Sequence, residues 1–151
     1  MNDTPMIKQY KSIKSQHKDS ILFFRLGDFY EMFFDDALVA SKALDLTLTG
    51  RGKDDQRVPM CGIPYHAADG YITKLIHKGF KVAICEQVEE ANSSKGITKR
   101  EIVKIVTPAT HFDEQAVEQH DNLYLIACLA LAQGHYGFSV VDPSTGEFKC
   151  G

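Results

Sequence analysis

Two kinds of hydrophobic spacing alternate along the first part of the chain, and they predict helices interleaved with strands. The segment TPMIKQYKSIKSQH has Thr4 as a helix N-cap, Pro5 at the first helical position and apolar residues at helical spacing. It therefore predicts a short amphipathic helix. The run SILFFRL that follows is largely apolar up to Gly27–Asp28, which is typical of a strand buried on both faces.

The spacing becomes helical from Phe29 onward, because the apolar residues then fall on one arc. We predict a helix that begins with a capping box, in which Asp28 accepts from backbone N–H groups and Glu31 reaches back. A strand is predicted next in LDLTLTG, ending in the glycine-flanked loop GRGKDDQ. The segment VPMCGIPYHAADG is too rich in proline and glycine to predict regular structure.

The later segments complete an α/β pattern. ADGYITKLIHKG predicts a helix with Gly79 as its C-terminal cap, and FKVAICEQV and REIVKIVTP predict strands joined by a polar loop. A domain boundary is expected near HFDEQAVEQHDN. Beyond it, two long strand-like runs are joined by residues 133–135, and the chain stops inside a predicted third strand. We expect that strand to have an unpaired edge.

Composition agrees with a globular protein. The 151 residues are 44% hydrophobic and 25% charged, enough for one core and part of a second domain. The N-terminus is polar and lacks the apolar core of a signal peptide, so we expect a cytoplasmic protein. Four scattered cysteines predict reduced, mostly buried thiols and no zinc site; they are Cys61, Cys85, Cys128 and Cys150.

The net charge of −3 argues against indiscriminate nucleic-acid binding, but the cations are clustered. One cluster lies along the first segment, in and just after the predicted helix, and the other in the later polar loop and strand. The two clusters are Lys8, Lys11, Lys14 and Lys18, and Lys95, Lys99, Arg100 and Lys104. Each is either a solvated face or a set of local phosphate contacts.

Phe29 and Glu31 form an unusual pair, since a buried site would suit only the first and an exposed site only the second. In the predicted helix both belong to the first turn, where Cα–Cβ bonds tilt toward the N-terminus and let both side chains project past the helix end. Such an aromatic ring can wedge between stacked bases, while the acid tests the edge of the disturbed base. The alternative for Glu31 is the capping box alone.

The motifs GDFYEMFFDDA, LTLTGRG, PMCGIPYHA, VAICEQ, SKG and REIVKIVTPAT resemble, in order, the N-terminal region of the bacterial MutS family of DNA mismatch-repair proteins. The resemblance runs from about Met6 to the end of the chain. It implies that Phe29 stacks on the mispaired base from the minor groove and that Glu31 hydrogen-bonds to that base. Arg51 matches a basic position near the DNA backbone in that family; a solvated loop residue is the alternative.

The same resemblance implies a domain plan. Residues 1–112 would be a mismatch-recognition domain of α/β (α+β) class, with a mixed sheet flanked by helices. Residues 113–121 would be a linker, and residues 122–151 the first strands of a ribonuclease-H-like connector domain.

The resemblance also implies partners and cofactors. No G-x-x-x-x-G-K-[ST] phosphate loop occurs, so we expect this chain to be non-catalytic, with ATP and Mg bound by an ATPase domain in a C-terminal part beyond it. Implied partners are mismatched double-stranded DNA, a second copy of the intact protein in a homodimer, and MutL. No membrane partner is expected.

Two rival functions stay open at this stage. One is a metal-dependent nuclease using Asp28, Glu31, Asp35 and Asp36, although the last two lie far round the predicted helix from Asp28. The other is a protein–protein adaptor that docks through its aromatic patch. Tyr65 and His66 do not predict catalysis, because no serine, thiol or acid is spaced to work with His66. We expect them to fix their loop against the core.

Overall fold

The computed structural model describes residues 3–52, 57–88, 98–108, 124–143 and 145–151. The chain divides into two compact units, Met1–Thr107 and Pro108–Gly151. The expected linker at 113–121 lies outside the described residues. So does most of the polar loop expected between the strands FKVAICEQV and REIVKIVTP. None of the helices in the described ranges is long and apolar enough to cross a membrane.

The first unit is a six-stranded mixed sheet with helices on both faces, in the strand order β3-β4-β2-β1-β5-β6. Strands β1 and β5 run parallel, and the other neighbouring strands are antiparallel. This confirms the expected mixed sheet flanked by helices. In chain order the elements are α1 (Pro5–Gln16), β1 (Ser20–Leu26), β2 (Phe29–Phe33), α2 (Phe34–Leu44), β3 (Thr49–Arg51), β4 (Val58–Pro64), α3 (Ala68–His77), β5 (Lys81–Gln87) and β6 (Arg100–Val106).

The sheet separates two hydrophobic clusters. Helix α1 packs on one face, against Leu22 and Phe24 of β1, while α2 and α3 pack on the other, against Ile21 and Phe23. Successive side chains of a strand point to opposite faces, so β1 serves both clusters. The expected burial of SILFFRL on both faces is confirmed.

The predicted first helix and the predicted helix before β5 are also confirmed. Thr4 caps α1, accepting through Oγ1 from the Ile7 N–H at 3.4 Å. Gly79 follows α3 with φ 82°, a left-handed conformation that glycine adopts without steric cost.

The predicted start of the second helix is wrong. Residues Phe29–Phe33 form strand β2, and α2 begins only at Phe34, so no capping box joins Asp28 to Glu31. A backbone turn at Phe34, with φ 53°, separates strand from helix. The aromatic run satisfies a helical arc in isolation, but it pairs with β1 on one side and β4 on the other, and this tertiary pairing decides its structure.

The predictions for the next two segments are also wrong. The expected strand LDLTLTG is reduced to Thr49–Arg51, because α2 ends at Asp45 in a left-handed conformation (φ 56°). The proline-rich segment instead contains β4 and a short 3-10 helix, Tyr65–Ala67. Both prolines of β4 lie near its ends, where a missing N–H interrupts the ladder least.

A buried carboxylate ties the α1 layer to the sheet. Asp36 accepts through Oδ2 from the Tyr10 hydroxyl at 2.8 Å and from the Leu22 N–H at 3.0 Å, and its Oδ1 pairs with Lys14 Nζ at 2.8 Å. Burial, followed by the neighbouring Asp36, raises the pKa of the Tyr10 phenol well above its usual range. Asp36 therefore connects α1, β1 and α2 through one side chain.

One residue of each cation cluster makes contacts inside the fold. Lys14 is committed to Asp36, and Arg100 is buried, donating to the Arg25 carbonyl at 2.6 Å and the Gln9 side chain at 3.0 Å. Burial lowers the pKa of Arg100. These two residues therefore fit neither the solvated-face interpretation nor that of phosphate contacts.

The cysteines differ between the two units. Cys61 and Cys85 are buried free thiols of the first unit, and burial raises their pKa to about 11 and about 12, respectively. Cys128 and Cys150 are exposed free thiols of the second unit. The expectation of mostly buried thiols therefore holds only in the first unit.

The second unit is an antiparallel sheet in the order β7-β8-β9, formed by β7 (Leu125–Ala130), β8 (Tyr136–Asp142) and β9 (Glu147–Cys150). The two predicted runs and the third strand are confirmed. Within the described residues this sheet leaves large apolar side chains exposed, namely Leu125, Ile126, Leu129, Tyr136, Phe138 and Phe148.

We predict that Asp36→Ala lowers the free energy of unfolding by about 3–4 kcal/mol, because it removes an acceptor from the buried Tyr10 hydroxyl and the Leu22 N–H and the ion-pair partner of Lys14. Urea unfolding of the 151-residue chain measures the loss. The matched control is Asp35→Ala, which removes an exposed acid from the same helical turn and is expected to cost less than about 1 kcal/mol. Equal losses for the two variants would contradict the role assigned to Asp36.

Candidate nucleic-acid interface

The tip of the β1–β2 hairpin is a tight two-residue connection. Leu26 pairs with Phe29, which leaves Gly27 and Asp28 as the loop, and Gly27 adopts φ 57°. A positive φ at the first loop position is readily adopted by glycine and suits a two-residue hairpin. The Tyr65 N–H donates to the Asp28 carbonyl at 2.9 Å, so the 3-10 helix after β4 holds the loop from the side.

Phe29 and Glu31 lie on one face of the sheet, as alternate residues of β2, with their Cα atoms about 7 Å apart. Phe29 is 47% exposed, whereas the neighbouring aromatic Phe33 on the same strand face is fully buried under α1. Glu31 is partly buried between its register partners Phe24 and Gly62. The Glu31 side chain lies over Gly62: a Cβ there would be 3.6 Å from Glu31 Cγ, an ordinary van der Waals distance.

Arg51 reaches Glu31 across strand β4. Its Nη1 lies 2.5 Å from Glu31 Oε2, although the two residues belong to strands that are not neighbours in the sheet. The Arg51 side chain is 48% exposed and that of Glu31 is 17% exposed. The structure therefore brings the three predicted site residues, Phe29, Glu31 and Arg51, onto one face of the sheet, with Phe29 next to the hairpin tip and Arg51 in contact with Glu31.

A second group of side chains supports the hairpin from the opposite face. The Arg25 guanidinium stacks 3.7 Å from the centre of the Tyr65 ring, and its Nε donates to the Gly27 carbonyl at 2.5 Å. Arg25 also pairs with Glu86 at 3.5 Å, and Glu86 in turn accepts from the Tyr30 hydroxyl. Burial, with this hydrogen bond second, raises the pKa of Tyr30 to about 12. We call Arg25, Tyr30, Tyr65 and Glu86 the hairpin brace.

Most of this brace is not predicted from the pattern of the sequence. A signal was available, since Arg25 interrupts an otherwise apolar strand and Glu86 sits at the end of the strand VAICEQ. Tyr65 and His66 were expected to fix their loop, and Tyr65 does so by stacking on Arg25 and by holding Asp28. The His66 ring contacts Tyr65 edge-on at 5.9 Å.

The four acids of the nuclease alternative do not converge. Asp36 turns inward to Tyr10, while Glu31 pairs with Arg51 on the α1 face of the sheet. Within the described part of the chain, no group of three or more His, Cys, Asp or Glu side chains is placed to hold a metal ion. The geometry therefore offers no support for a metal-dependent nuclease built on these residues.

We predict that Arg25→Ala destabilises the hairpin by about 1–2 kcal/mol, because it removes a stacked cation and a charged donor to the loop carbonyl. Faster amide hydrogen exchange at residues 27–30 reports this loss. As a control, Lys81→Ala breaks an exposed ion pair with Asp19 on the same sheet and leaves exchange at those residues unchanged. Unchanged exchange in Arg25→Ala would show that the brace does not hold the tip.

Comparison with known proteins places the chain in a family. The family model described as MutS domain I matches residues 4–115. Proteins named DNA mismatch repair protein MutS are similar over almost the whole chain. The relative from Lachnoclostridium phytofermentans is 58% identical over 96% of this chain, and that from Halalkalibacterium halodurans is 53% identical over 97%. The relative from Listeria welshimeri is 54% identical over 97%.

The chain spans 16–17% of the length of these relatives. The family model nevertheless covers the whole sheet of the first unit and its three helices, including the hairpin, the brace and the Glu31–Arg51 pair. Because residues 4–115 match the model of MutS domain I, the chain belongs to the MutS family of DNA mismatch-repair proteins.

Proposed function

We propose that the first unit is a DNA mismatch-recognition module, in which Phe29 wedges at a mispaired base from the minor groove and Glu31 hydrogen-bonds to that base. The observation that carries the proposal is the exposure of Phe29. The other phenylalanines of β1 and β2 (Phe23, Phe24 and Phe33) are 0% exposed, whereas Phe29 is 47% exposed at a braced hairpin tip. An exposed ring held by a rigid support is suited to stacking on a partner.

Mispaired steps favour such a wedge for a physical reason. Inserting a side chain between bases requires the step to unstack and bend, and a mispaired step is already poorly stacked and deforms at lower cost. Stacking of a base on an aromatic ring is worth about 1–3 kcal/mol. The wedge therefore supplies discrimination between duplexes and only a small part of the affinity.

The hairpin brace lowers the entropic cost of the wedge. If Phe29 were on a mobile loop, DNA binding would have to order that loop, and the entropy lost would weaken the binding. Arg25 and Tyr65 instead hold Gly27 and Asp28 in the free protein. Phe29 is thus presented in a fixed direction before DNA arrives.

Glu31 and Arg51 have complementary tasks in this proposal. A carboxylate near DNA is repelled by phosphates, so Glu31 is useful only in contact with a base, where it accepts from an N–H or, when protonated, donates to a ring nitrogen. Arg51 lies beside it and is exposed enough to contact a backbone phosphate, which positions the duplex without reading its sequence.

Family membership supports further proposals about the whole protein, since the chain spans only 17% of the length of the relative from Halalkalibacterium halodurans. We propose that the intact protein is a cytoplasmic ATPase that binds ATP and Mg outside this chain, forms a homodimer and works with MutL. We also propose domain limits at residues 1–112 and 122–151. The exposed apolar strands of the second unit support its assignment as the opening of a connector domain that continues beyond this chain.

We predict that Phe29→Ala in the full-length protein lowers the ratio of the Kd for matched duplex to the Kd for mismatched duplex by about 5- to 150-fold, the equivalent of one lost stacking contact. Phe29→Leu keeps apolar volume but has no flat ring, so it should lower this Kd ratio almost as much as Phe29→Ala does. Fluorescence titration of two duplexes that differ by one mispair measures both.

The matched control is Leu38→Ala, because Leu38 is also 47% exposed but lies on α2, in the layer on the opposite face of the sheet. It should leave the ratio unchanged, and neither variant should unfold like a core mutant. If Phe29→Ala kept full discrimination, or melted like a core truncation, Phe29 would be a packing residue. A protein–protein adaptor would show no preference for mismatched duplex in any variant.

A further inference from the structure

The two charged members of the site differ in how firmly the sheet holds them. Glu31 is in the middle of β2, which is paired on both sides, and its side chain is largely covered. Arg51 is the last residue of β3, a three-residue strand at the edge of the sheet, and Gly52 after it adopts φ 115°. The acid is therefore a fixed acceptor, and the guanidinium is a donor on a short edge strand.

The contact between Arg51 and Glu31 compensates the negative charge of Glu31, which would otherwise repel DNA phosphates. The 2.5 Å pair neutralises Glu31 on the face that carries Phe29, where phosphates would approach. However, one guanidinium bound to Glu31 is not fully available to a phosphate. Both tasks fall on the same Arg51 side chain, so in a complex with DNA they compete.

We infer that Arg51 is a specificity-determining residue that exchanges Glu31 for a backbone phosphate only when a mispaired base is present to take over the Glu31 carboxylate. On matched duplex the base offers Glu31 no partner, and release of Arg51 would leave an uncompensated carboxylate beside phosphates. Arg51 then stays on Glu31, and one phosphate contact is missing. On mismatched duplex both contacts form. This penalty against matched duplex is a repulsive element of specificity. The inference rests on the proposed function.

The exchange has a signature in salt dependence. Each phosphate neutralised by a cationic side chain adds about 0.9 to the slope of log Kd against log salt concentration for duplex DNA. The full-length wild-type protein should therefore show a slope about 0.9 steeper on mismatched than on matched duplex. A residue with only a structural role would shift affinity without creating a slope difference between the two duplexes.

The test is a cycle of Glu31→Gln, Arg51→Gln and the double variant, each titrated on both duplexes from low to physiological salt. In Glu31→Gln the two slopes become equal at the steeper value, because Arg51 is free on both duplexes. In Arg51→Gln and in the double variant they become equal at the shallower value. Arg51→Lys keeps a movable cation and should retain a slope difference. Thermal melting checks that each variant is folded, and Glu31→Ala replaces Glu31→Gln if the latter melts early.

The outcomes separate this inference from the proposed function. Equal wild-type slopes together with a clear mismatch preference would overturn the exchange and leave mismatch recognition standing. A slope difference that persists in Glu31→Gln would also overturn it. If the wild type shows no mismatch preference at all, both the proposed function and the exchange fail.

Discussion

The pairing of β2 between β1 and β4 fixes which side chains the domain presents and which it hides. Because alternate residues of a strand face opposite layers, Tyr30 and Met32 enter the core beneath α2 and α3. Phe29 and Glu31 are thereby directed to the α1 face, beyond the part of that face where Phe33 is buried. A register shift of one residue would bury the acid and remove the exposed ring. The two-residue loop and the brace keep that register at the tip of the hairpin.

Two of the clustered cations are engaged in contacts inside the fold and are not free to meet a DNA phosphate. Lys14 neutralises the buried Asp36, and Arg100 supports the backbone of β1. The net charge is −3, so nonspecific attraction to phosphates is weak. This suits a module that contributes discrimination through one ring and one acid, while the larger part of the relatives' length supplies affinity, as we propose.

The sequence predicted those elements whose local pattern agrees with their tertiary setting. Helix α1 has its own cap and proline, and β1, β5 and β6 are apolar runs bounded by polar loops. The stretch FYEMF was assigned to a helix because its aromatic residues fit both the helical and the strand spacing of apolar positions. Only its pairing with two other strands decides that it is a strand. Strand β4 was not predicted, because its prolines are typical of irregular structure. Phe29, Glu31 and Arg51 were marked largely by family resemblance, but the Glu31–Arg51 contact joins strands that no local pattern relates.

The most direct test of the account is to ask which nucleotide the Phe29 side chain contacts. Replacing Phe29 with the photoreactive aromatic residue p-benzoylphenylalanine in the full-length protein, and irradiating complexes with a duplex carrying one mispair, allows the cross-linked nucleotide to be mapped. If Phe29 is the wedge, cross-links concentrate at the mispaired nucleotide and its immediate neighbours, and this concentration is lost on matched duplex. Cross-links spread evenly along the duplex, or identical patterns for matched and mismatched DNA, would contradict it.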